Sequence, residues 1–344
     1  MSQYKVAVVG ATGAVGTVML AKLKERGFPA RELVPFASER SAGRELEGVG
    51  VVQPLSDETI QGFDIAIFSA GATTSGEWAP RFVDAGCVVV DNSSRFRRDE
   101  EIPLVVSEVN PHALERHRGL IANPNCSTMQ LMVVLKPILD AAGIERLIVS
   151  TYQSVSGTGV RAVDELKEQT HAELHGMPLP EPQVYPHPIA FNVLGGAGNF
   201  KDGDDYTDEE RKMMHETRKI LEAPDIGISV TCARVPVISS HSESVNVQTR
   251  EPIEADAVRE LLRGAPGTEV VDEPASNGYP TARAGAGRDE VLVGRIRRDP
   301  SHPRALNMWV VSDNLLKGAA TNAVQIAEAL HERGLVRVPA RQAA

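Results

Sequence analysis

The chain has 344 residues, of which 42% are hydrophobic, and a formal net charge of −10 at pH 7. This length favours two domains, because a single core seldom extends beyond about 250 residues. The acidic balance argues against nucleic acids and anionic membranes as partners, since both select basic surfaces, and no apolar run approaches the roughly 20 residues of a membrane helix. A small-molecule substrate is expected instead. Three cysteines cannot all pair and no secretory leader is evident, so we expect a cytoplasmic protein.

A dinucleotide-binding turn is the first feature of the chain. The β-like run Lys5 to Val9 leads into the glycine turn GATGAVG at 10–16, and a helical pattern follows from Thr17 to Arg26. Glycines at such a turn let the backbone approach a pyrophosphate, which then lies at the helix N-terminus. The spacing is GxxGxxG, where GxGxxG is commoner. The residues expected to contact the cofactor here are Gly10, Thr12, Gly13, Ala14, Val15 and Gly16.

Three further β-like runs, at 32–37, 65–69 and 88–91, predict a parallel, doubly wound sheet. The polar stretch after the second run bears on the choice of cofactor. NAD sites usually place an acid there, which Glu39 provides, whereas NADP sites use Arg and hydroxyl groups to bind the 2′-phosphate. Because a cation and two hydroxyls surround Glu39, NADP is the predicted cofactor. The expected contacts are Ser38, Arg40 and Ser41.

Cys126 lies on a polar turn, Asn123 to Thr128, at the start of the apolar, helix-periodic run Met129 to Leu139. A cysteine at a helix N-terminus faces unpaired backbone N–H groups and the positive end of the helix dipole, and both favour the thiolate. Cys87 and Cys232 lie instead in apolar β-like runs that are typical of buried cysteines. Cys126 is therefore the predicted nucleophile.

The second half of the chain has a mixed character. A strand at 147–152 precedes a loop of small residues at 153–159, which permits close approach to a ligand, and a helix at 160–174. The segment from 175 to 199 is rich in Pro and Gly and is predicted as a long excursion toward a neighbouring subunit. Helix 207–222 follows, with Thr207 as its N-cap. The remaining predicted elements are strands at 228–237, 244–249 and 290–297 and a final helix at 315–333 that packs on the first domain.

The predicted fold is therefore α/β. A Rossmann-like, doubly wound domain spans residues 1–124 and is completed by the final helix, 315–333, while an α+β catalytic and dimerisation domain spans 125–314. Two polar residues of the second domain are candidates for chemistry. His241 is a candidate base for a thiol nucleophile. Arg234, near the end of the predicted strand 228–237, has a guanidinium suited to a carboxylate. His171 and His175 have the spacing of a metal pair, but without further ligands beside them no metal is expected.

Six motifs resemble those of the aspartate-β-semialdehyde dehydrogenase family. In order they are GATGAVG, DNSSRFR at 91–97, NPNCST at 123–128, STYQSVSGTG at 150–159, RVPV and HSE at 234–243, and DNLLKGAATNA at 313–323. They span essentially the whole chain. The resemblance implies interconversion of L-aspartyl 4-phosphate and L-aspartate 4-semialdehyde with NADPH, on the route to diaminopimelate, lysine, threonine and methionine, by a homodimer or homotetramer.

The resemblance also implies roles for single residues. Cys126 would form a thioacyl enzyme, His241 would be the acid/base and Gln153 would orient the intermediate. The expected substrate contacts are Arg234 with the α-carboxylate, Glu209 with the α-amino group, and Arg97, Lys212 and Asn92 with the phosphate. Further expected cofactor contacts are Ser156, Gly157 and Asn314.

Other readings of the same residues stay open. N-acetyl-γ-glutamyl-phosphate reductase shares this chemistry and architecture but has a different cysteine motif, as does glyceraldehyde-3-phosphate dehydrogenase, which also carries an NAD-type acid. A non-catalytic relative would be expected to lack Cys126, Gln153 or His241. Glu209 and Lys212 also fit a solvated i, i+3 ion pair. The stretch VLGGAGNF at 193–200 departs from the family's more apolar, Pro-containing sequence.

Overall fold

The structure is a computed structural model in which residues 3–337 are described, and the chain divides into two compact units. The first unit contains the described residues up to Asn125 and those from Ala319 onward, and the second contains Cys126 to Gly318. The strands over residues 3–337 are β1 (Tyr4–Val9), β2 (Ala30–Phe36), β3 (Glu45–Leu46), β4 (Gly50–Val51), β5 (Ile65–Phe68), β6 (Val88–Asp91), β7 (Leu120–Ala122), β8 (Ile144–Gln153), β9 (Gly227–Arg234), β10 (His241–Thr249), β11 (Thr268–Val270), β12 (Val291–Arg298) and β13 (Ala305–Ser312).

The α-helices over the same residues are α1 (Ala14–Glu25), α2 (Gly71–Asp84), α3 (Cys126–Ala142), α4 (Val160–Leu174), α5 (Asp208–Ile220), α6 (Ala255–Arg263), α7 (Ala282–Gly285) and α8 (Thr321–Glu332). Short 3₁₀ turns occur at Glu39–Ser41, Pro111–Arg116, Val155–Thr158 and Pro274–Ser276, and a π-helical turn at Leu316–Ala320 precedes α8.

The first unit is built on a parallel sheet with the strand order β2-β1-β5-β6-β7. Its central strands are buried on both faces, as parallel strands between two helical layers must be. Met19 of α1 and Val324 of α8 pack on one face, and Phe82 of α2 packs on the other. This confirms the predicted Rossmann-like sheet and the return of the C-terminal helix to it.

The second unit has a mixed sheet with the order β11-β12-β13-β10-β8-β9. Pairs β8/β9 and β11/β12 are parallel and the other pairs are antiparallel. Helices α3, α5 and α6 pack on one face of this sheet. The predicted N-cap of α5 is confirmed, because the Thr207 hydroxyl accepts from the Glu210 N–H while the Glu210 carboxylate accepts from the Thr207 N–H.

The 175–199 excursion is tied to α4 by two buried side chains. Glu165 accepts the backbone N–H groups of residues 183 and 184, at 2.6 and 2.7 Å, and Gln169 accepts those of residues 189 and 190, at 2.8 and 3.2 Å. Further along, Leu194 pairs with Arg234 through two backbone hydrogen bonds. The excursion is thus an ordered loop without helix or long strand over its described residues.

Several local predictions differ from the structure. Strands β8 and β10 each begin three residues before the predicted start, and β9 ends three residues before the predicted end. The final helix is not continuous from 315 to 333, because a π-helical turn that contains Gly318 precedes α8. Helix α1 begins three residues earlier than predicted, at Ala14, since Gly13 serves as its N-cap. Cys87 is buried as expected but lies just before β6, at the end of the turn that follows α2.

Candidate active site

Cys126 is the first residue of α3, as the sequence predicted. Its side chain is half-buried, whereas Cys87 and Cys232 are fully buried. Burial raises the pKa of the Cys87 and Cys232 thiols well above the ordinary value, so both stay protonated and unreactive. Of the three cysteines, Cys126 is the one that combines a half-buried side chain with a position at a helix N-terminus.

His241 meets Cys126. As the first residue of β10 it is fully buried, and its Nε2 lies 3.3 Å from Cys126 Sγ. Its Nδ1 accepts a hydrogen bond from the Ser154 backbone N–H at 3.0 Å. A backbone N–H can only donate, so we assign the proton of the neutral imidazole to Nε2, facing the sulfur. Burial, helped by the Arg234 charge, lowers the pKa of His241 to about 3, and the imidazole is neutral at pH 7.

Gln153 ends β8 and is buried beside the first turn of α3. Its Nε2 donates to Ser127 Oγ at 2.9 Å and to Glu209 Oε1 at 3.3 Å. The carboxamide is therefore held in one orientation. Ser127 was missed as a site residue by the sequence analysis, although it lies directly after the cysteine in the NPNCST motif.

Arg234 ends β9 and is 7% exposed. Its Nη1 donates to the Ser154 carbonyl at 2.7 Å, and its guanidinium lies 5.9 Å from the centre of the Tyr185 ring. The buried Nε has no hydrogen-bond partner among the described residues. The Ser154 carbonyl holds the guanidinium in place, and the remaining buried N–H donor is suited to bind a carboxylate.

Glu209 and Lys212 lie near the start of α5. Lys212 Nζ contacts Glu209 Oε2 at 3.3 Å and Asp208 Oδ2 at 2.9 Å. Burial opposes the charge of Lys212, yet these carboxylates outweigh it and raise its pKa. The ion pair is half-buried rather than a solvated surface pair, because Glu209 is 9% exposed and also bonds Gln153. Asp208, the second carboxylate partner of Lys212, was not among the predicted site residues.

The expected cofactor contacts of the second unit lie around His241. Asn314 Oδ1 accepts from Ser154 Oγ at 3.0 Å and from Ser156 Oγ at 3.2 Å. A methyl group placed on Gly157 would come within 3.3 Å of the His241 ring. The absence of a side chain thus lets the 153–159 loop pack closely against the buried imidazole.

In the first unit, Arg97 is fixed by backbone carbonyls. Its Nε donates to the Asn123 carbonyl at 2.9 Å and its Nη2 to the Asn92 carbonyl at 2.8 Å. The Asn123 side chain in turn donates to Asn92 Oδ1 at 2.6 Å. Arg97 and Asn92 therefore form one cluster, in which Asn123 is a member that the sequence analysis did not single out.

The glycine turn of the first unit fits a dinucleotide. Gly10 has φ +87°, and a Cβ there would meet the Ser69 carbonyl at 2.3 Å, so the turns after β1 and β5 touch. These neighbouring strands lie where the strand order reverses, which is where α/β sheets bind nucleotides. Gly13, the N-cap of α1, has no side chain, and Ala14 is exposed. The helix N-terminus can therefore receive a pyrophosphate.

The residues expected to select NADP directly follow β2. Ser38 is the N-cap of the 3₁₀ turn Glu39–Ser41, and the Ser41 N–H donates to the Ser38 carbonyl at 2.8 Å. Ser38, Glu39 and Arg40 are exposed. The turn thus presents two hydroxyls, a carboxylate and a guanidinium at the carboxyl end of the edge strand.

Residues 3–337 contain neither a membrane-spanning helix nor a cluster of metal ligands. Between residues 3 and 337, no helix is long and apolar enough to span a bilayer. In the same range no group of three or more His, Cys, Asp or Glu side chains is placed to hold a metal ion. The rings of His171 and His175 lie against each other, with centroids 4.2 Å apart.

Known proteins match the chain over nearly its full length. Family models match at residues 5–117, "Semialdehyde dehydrogenase, NAD binding domain", and at 135–317, "Semialdehyde dehydrogenase, dimerisation domain". The aspartate-semialdehyde dehydrogenase of Aquifex aeolicus is 52% identical over 339 residues, which cover 97% of this chain and 99% of that protein. That of Legionella pneumophila is 51% identical over 349 residues, which cover 98% and 99%.

Solved structures of aspartate-semialdehyde dehydrogenases also match the chain over nearly its full length. Aspartate semialdehyde dehydrogenase II from Vibrio cholerae, complexed with ASA, is 49% identical with a TM-score of 0.92, and the match covers 96% of this chain and 99% of that one. The enzyme from Candida albicans, solved with NADP, is 27% identical with a TM-score of 0.73 over 97% and 100% of the two chains. The chain belongs to the aspartate-semialdehyde dehydrogenase family.

Proposed function

We propose that the protein is an NADP-dependent aspartate-semialdehyde dehydrogenase, which reversibly converts L-aspartyl 4-phosphate to L-aspartate 4-semialdehyde and phosphate. The observation that carries the proposal is the 3.3 Å approach of Cys126 Sγ to His241 Nε2 at the N-terminus of α3. The identity of 52% to a relative of that name supports it. The reaction would serve the synthesis of diaminopimelate, lysine, threonine and methionine from aspartate.

The proposed reaction passes through a thioester on Cys126. The thiolate attacks the acyl carbon, the C–S bond forms, and the bond from carbon to the phosphate oxygen breaks, which releases phosphate. When bound, NADPH supplies the hydride that reduces the thioester. The hemithioacetal then collapses, and the C–S bond breaks to release the aldehyde and restore the thiolate. The N–H groups of the first turn of α3 stabilise that thiolate each time it forms.

His241 is the proposed acid/base. In the resting protein its Nε2–H can donate to the Cys126 thiolate, and in each tetrahedral adduct to the oxygen that becomes negative. The negative charges of a bound substrate favour the imidazolium. Substrate binding would therefore raise the pKa of the imidazole toward the range in which it exchanges a proton with the hemithioacetal oxygen.

Each charged group of the substrate matches candidate residues of suitable charge. We assign the α-carboxylate to Arg234, whose buried Nε lacks a partner in the described part of the chain. The α-amino group is assigned to Glu209, and Gln153, which bonds Glu209, would orient the acyl group. The phosphate is assigned to Lys212 and to Arg97 with Asn92, because a dianion requires cations and donors.

We assign the cofactor to the first unit. The backbone of 10–16 and the N-terminus of α1 would hold the pyrophosphate, and Arg40 with Ser38 and Ser41 would hold the 2′-phosphate. This choice of NADP is supported by the Candida albicans relative, solved with NADP. Ser156, Gly157 and Asn314 remain proposed contacts of the cofactor's nicotinamide end.

We further propose a homodimer. The sheet of the second unit presents Ile148, Tyr152 and Trp309 on the face opposite α3, and the Tyr152 and Trp309 rings lie 5.2 Å apart. An uncovered sheet face with a large aromatic pair suits a second copy of the chain. A homotetramer would need another surface, for which the exposed Phe191 of the excursion is a candidate. Three unpaired cysteines suit a reducing compartment, and we place the enzyme in the cytoplasm.

The test is reduction of NADP by purified protein supplied with L-aspartate semialdehyde and phosphate. We expect turnover that requires phosphate and is weaker with NAD. A parallel reaction contains N-acetylglutamate semialdehyde, and turnover with that substrate alone would overturn the substrate assignment. If a protein whose fold is verified by circular dichroism reduces NADP with neither aldehyde, the proposed activity is overturned.

A further inference from the structure

One carboxamide joins three strand ends of the second unit. Asn314 lies just beyond β13 and is 3% exposed. Its Oδ1 accepts hydrogen bonds from Ser154 Oγ at 3.0 Å, from Ser156 Oγ at 3.2 Å and from the Ser240 backbone N–H at 2.9 Å, and its Nδ2 donates to Ser156 Oγ at 3.0 Å. Ser154 follows the end of β8, and Ser240 precedes the start of β10.

The Ser240 bond holds a strained backbone. Ser240 has φ +72°, in the left-handed region that residues with a side chain rarely adopt. Such a conformation persists only where the surrounding structure imposes it. Because His241 is the next residue, the direction in which its ring leaves the backbone depends on Ser240, and thus on Asn314.

Asn314 also holds Ser154, which contacts Nδ1 of the His241 ring. The Ser154 N–H donates to His241 Nδ1, and Ser154 Oγ also lies 3.1 Å from that nitrogen. If Ser154 Oγ donates its single proton to Asn314 Oδ1, the backbone N–H is the donor that remains for Nδ1. The Ser154 N–H, which can only donate, places the imidazole proton on Nε2, and Asn314 acts by holding Ser154 where that N–H points at Nδ1.

We infer that Asn314 is a positioning residue for the thiol chemistry: by holding Ser154 and Ser240, it keeps His241 in the orientation and tautomer that direct Nε2–H at Cys126 Sγ. This rests on the proposed function for its effect on turnover, and it goes beyond the cofactor contact expected of Asn314. The tautomer itself belongs to the resting protein and can be measured without substrate.

The test compares Asn314→Leu, which removes the acceptor oxygen, with Asn314→Asp, which retains one. Long-range ¹H–¹⁵N spectra of histidine-labelled protein, with His241 assigned through His241→Gln, report the tautomer directly. Wild type and Asn314→Asp are expected to show a neutral, Nε2-protonated ring, and Asn314→Leu a mixture of forms. For Asn314→Leu we expect kcat to fall on the order of 100-fold, the loss typical of a misplaced catalytic group.

The matched control is Gln325→Leu on α8, which removes the hydrogen bond between the Gln325 and Glu108 side chains and should change neither the tautomer nor kcat. A wild-type tautomer in Asn314→Leu overturns the inference, whether NADP affinity falls or not. If Asn314→Leu does not fold, loss of the Nε2-protonated form in Asn314→Asp overturns it and retention supports it. If wild-type protein lacks turnover, the proposed function fails while the spectra still decide the inference.

Discussion

Cys126 Sγ and His241 Nε2 lie 3.3 Å apart although 115 positions separate the two residues in the chain. They meet because α3, which begins at Cys126, packs on the sheet that contains β10, which begins at His241. The buried imidazole is neutral and offers a proton to the sulfur, while the helix N-terminus favours negative charge there. The pair is thus arranged to stabilise a thiolate.

Gly318 packs so closely against Cys126 that a larger residue does not fit at this position. A methyl group added there would lie 2.9 Å from Cys126 Cβ, closer than side chains tolerate. Gly318→Ala is therefore expected to displace the sulfur and lower kcat by about 10- to 100-fold. The control is Gly195→Ala, where the added methyl meets open space and kcat should be unchanged. Equal kcat values for the two variants would show that the close packing of Gly318 on Cys126 does not affect turnover.

Arg234→Lys tests the proposed carboxylate site. Lysine keeps the charge but loses the planar fork that binds a carboxylate through two hydrogen bonds. We expect KM for the semialdehyde to rise by about 10- to 100-fold, the worth of one or two charge-assisted bonds, while KM for NADP is unchanged. Arg146→Lys, at an exposed position of β8, is the control. Unaltered substrate KM in Arg234→Lys would place the carboxylate elsewhere.

Arg40→Ala tests the choice of cofactor. The exposed guanidinium after β2 is proposed to bind the 2′-phosphate, which NADP has and NAD lacks. KM for NADP should rise by about tenfold, and KM for NAD should stay the same. Arg44→Ala, four residues further on and also exposed, serves as the matched control. A parallel rise for both cofactors would show that Arg40 does not read the 2′-phosphate.

Glu243 is a fully buried carboxyl two residues beyond His241, and its oxygens have no hydrogen-bond partner among residues 3–337. Burial raises the pKa of Glu243 well above its usual value and outweighs the nearby Gln130 amide, which lowers it. The folded protein therefore keeps the carboxyl protonated, while the unfolded chain releases the proton above pH 4.5. Stability from this group is complete below that pH and is lost as pH rises toward the folded-state pKa.

Glu243→Gln removes that dependence, because the amide is neutral at every pH. The free energy of unfolding of the variant, relative to wild type, is expected to increase with pH by up to about 1 kcal/mol per unit above pH 4.5. Urea unfolding at several pH values measures this difference. Glu251→Gln, at an exposed position, should show no such slope. A pH-independent difference for Glu243→Gln would mean that the carboxyl is ionised in the folded state.

Local signals in the sequence predicted much of the fold. The starts of α3, at Cys126, and of α5, after its N-cap Thr207, were predicted correctly. A polar turn or N-cap residue followed by an apolar, helix-periodic run is a signal contained in a few consecutive residues. Helix α2 was missed, since Gly76 and Pro80 interrupt its pattern. The π-helical turn before α8 was missed as well, and its Gly318 lies against Cys126, a contact that the local sequence does not indicate.

The site was predictable by residue type but not by geometry. Nothing near Gln153 indicates that its amide bonds Ser127 and Glu209, because those partners lie 26 residues before it and 56 after it. The same holds for Asn314 and Ser154, which are 160 residues apart. Such contacts depend on strand order and register, which the hydrophobic pattern of separate segments does not specify.

The most direct test of the central claim is whether Cys126 carries the acyl group. Protein is mixed with L-aspartate semialdehyde and NADP without phosphate, then quenched in acid and examined by mass spectrometry. We predict one equivalent of NADPH and an aspartyl adduct confined to the peptide that contains Cys126, which added phosphate discharges and Cys126→Ala never forms. NADPH formation in Cys126→Ala, or an adduct on another residue, would contradict the account.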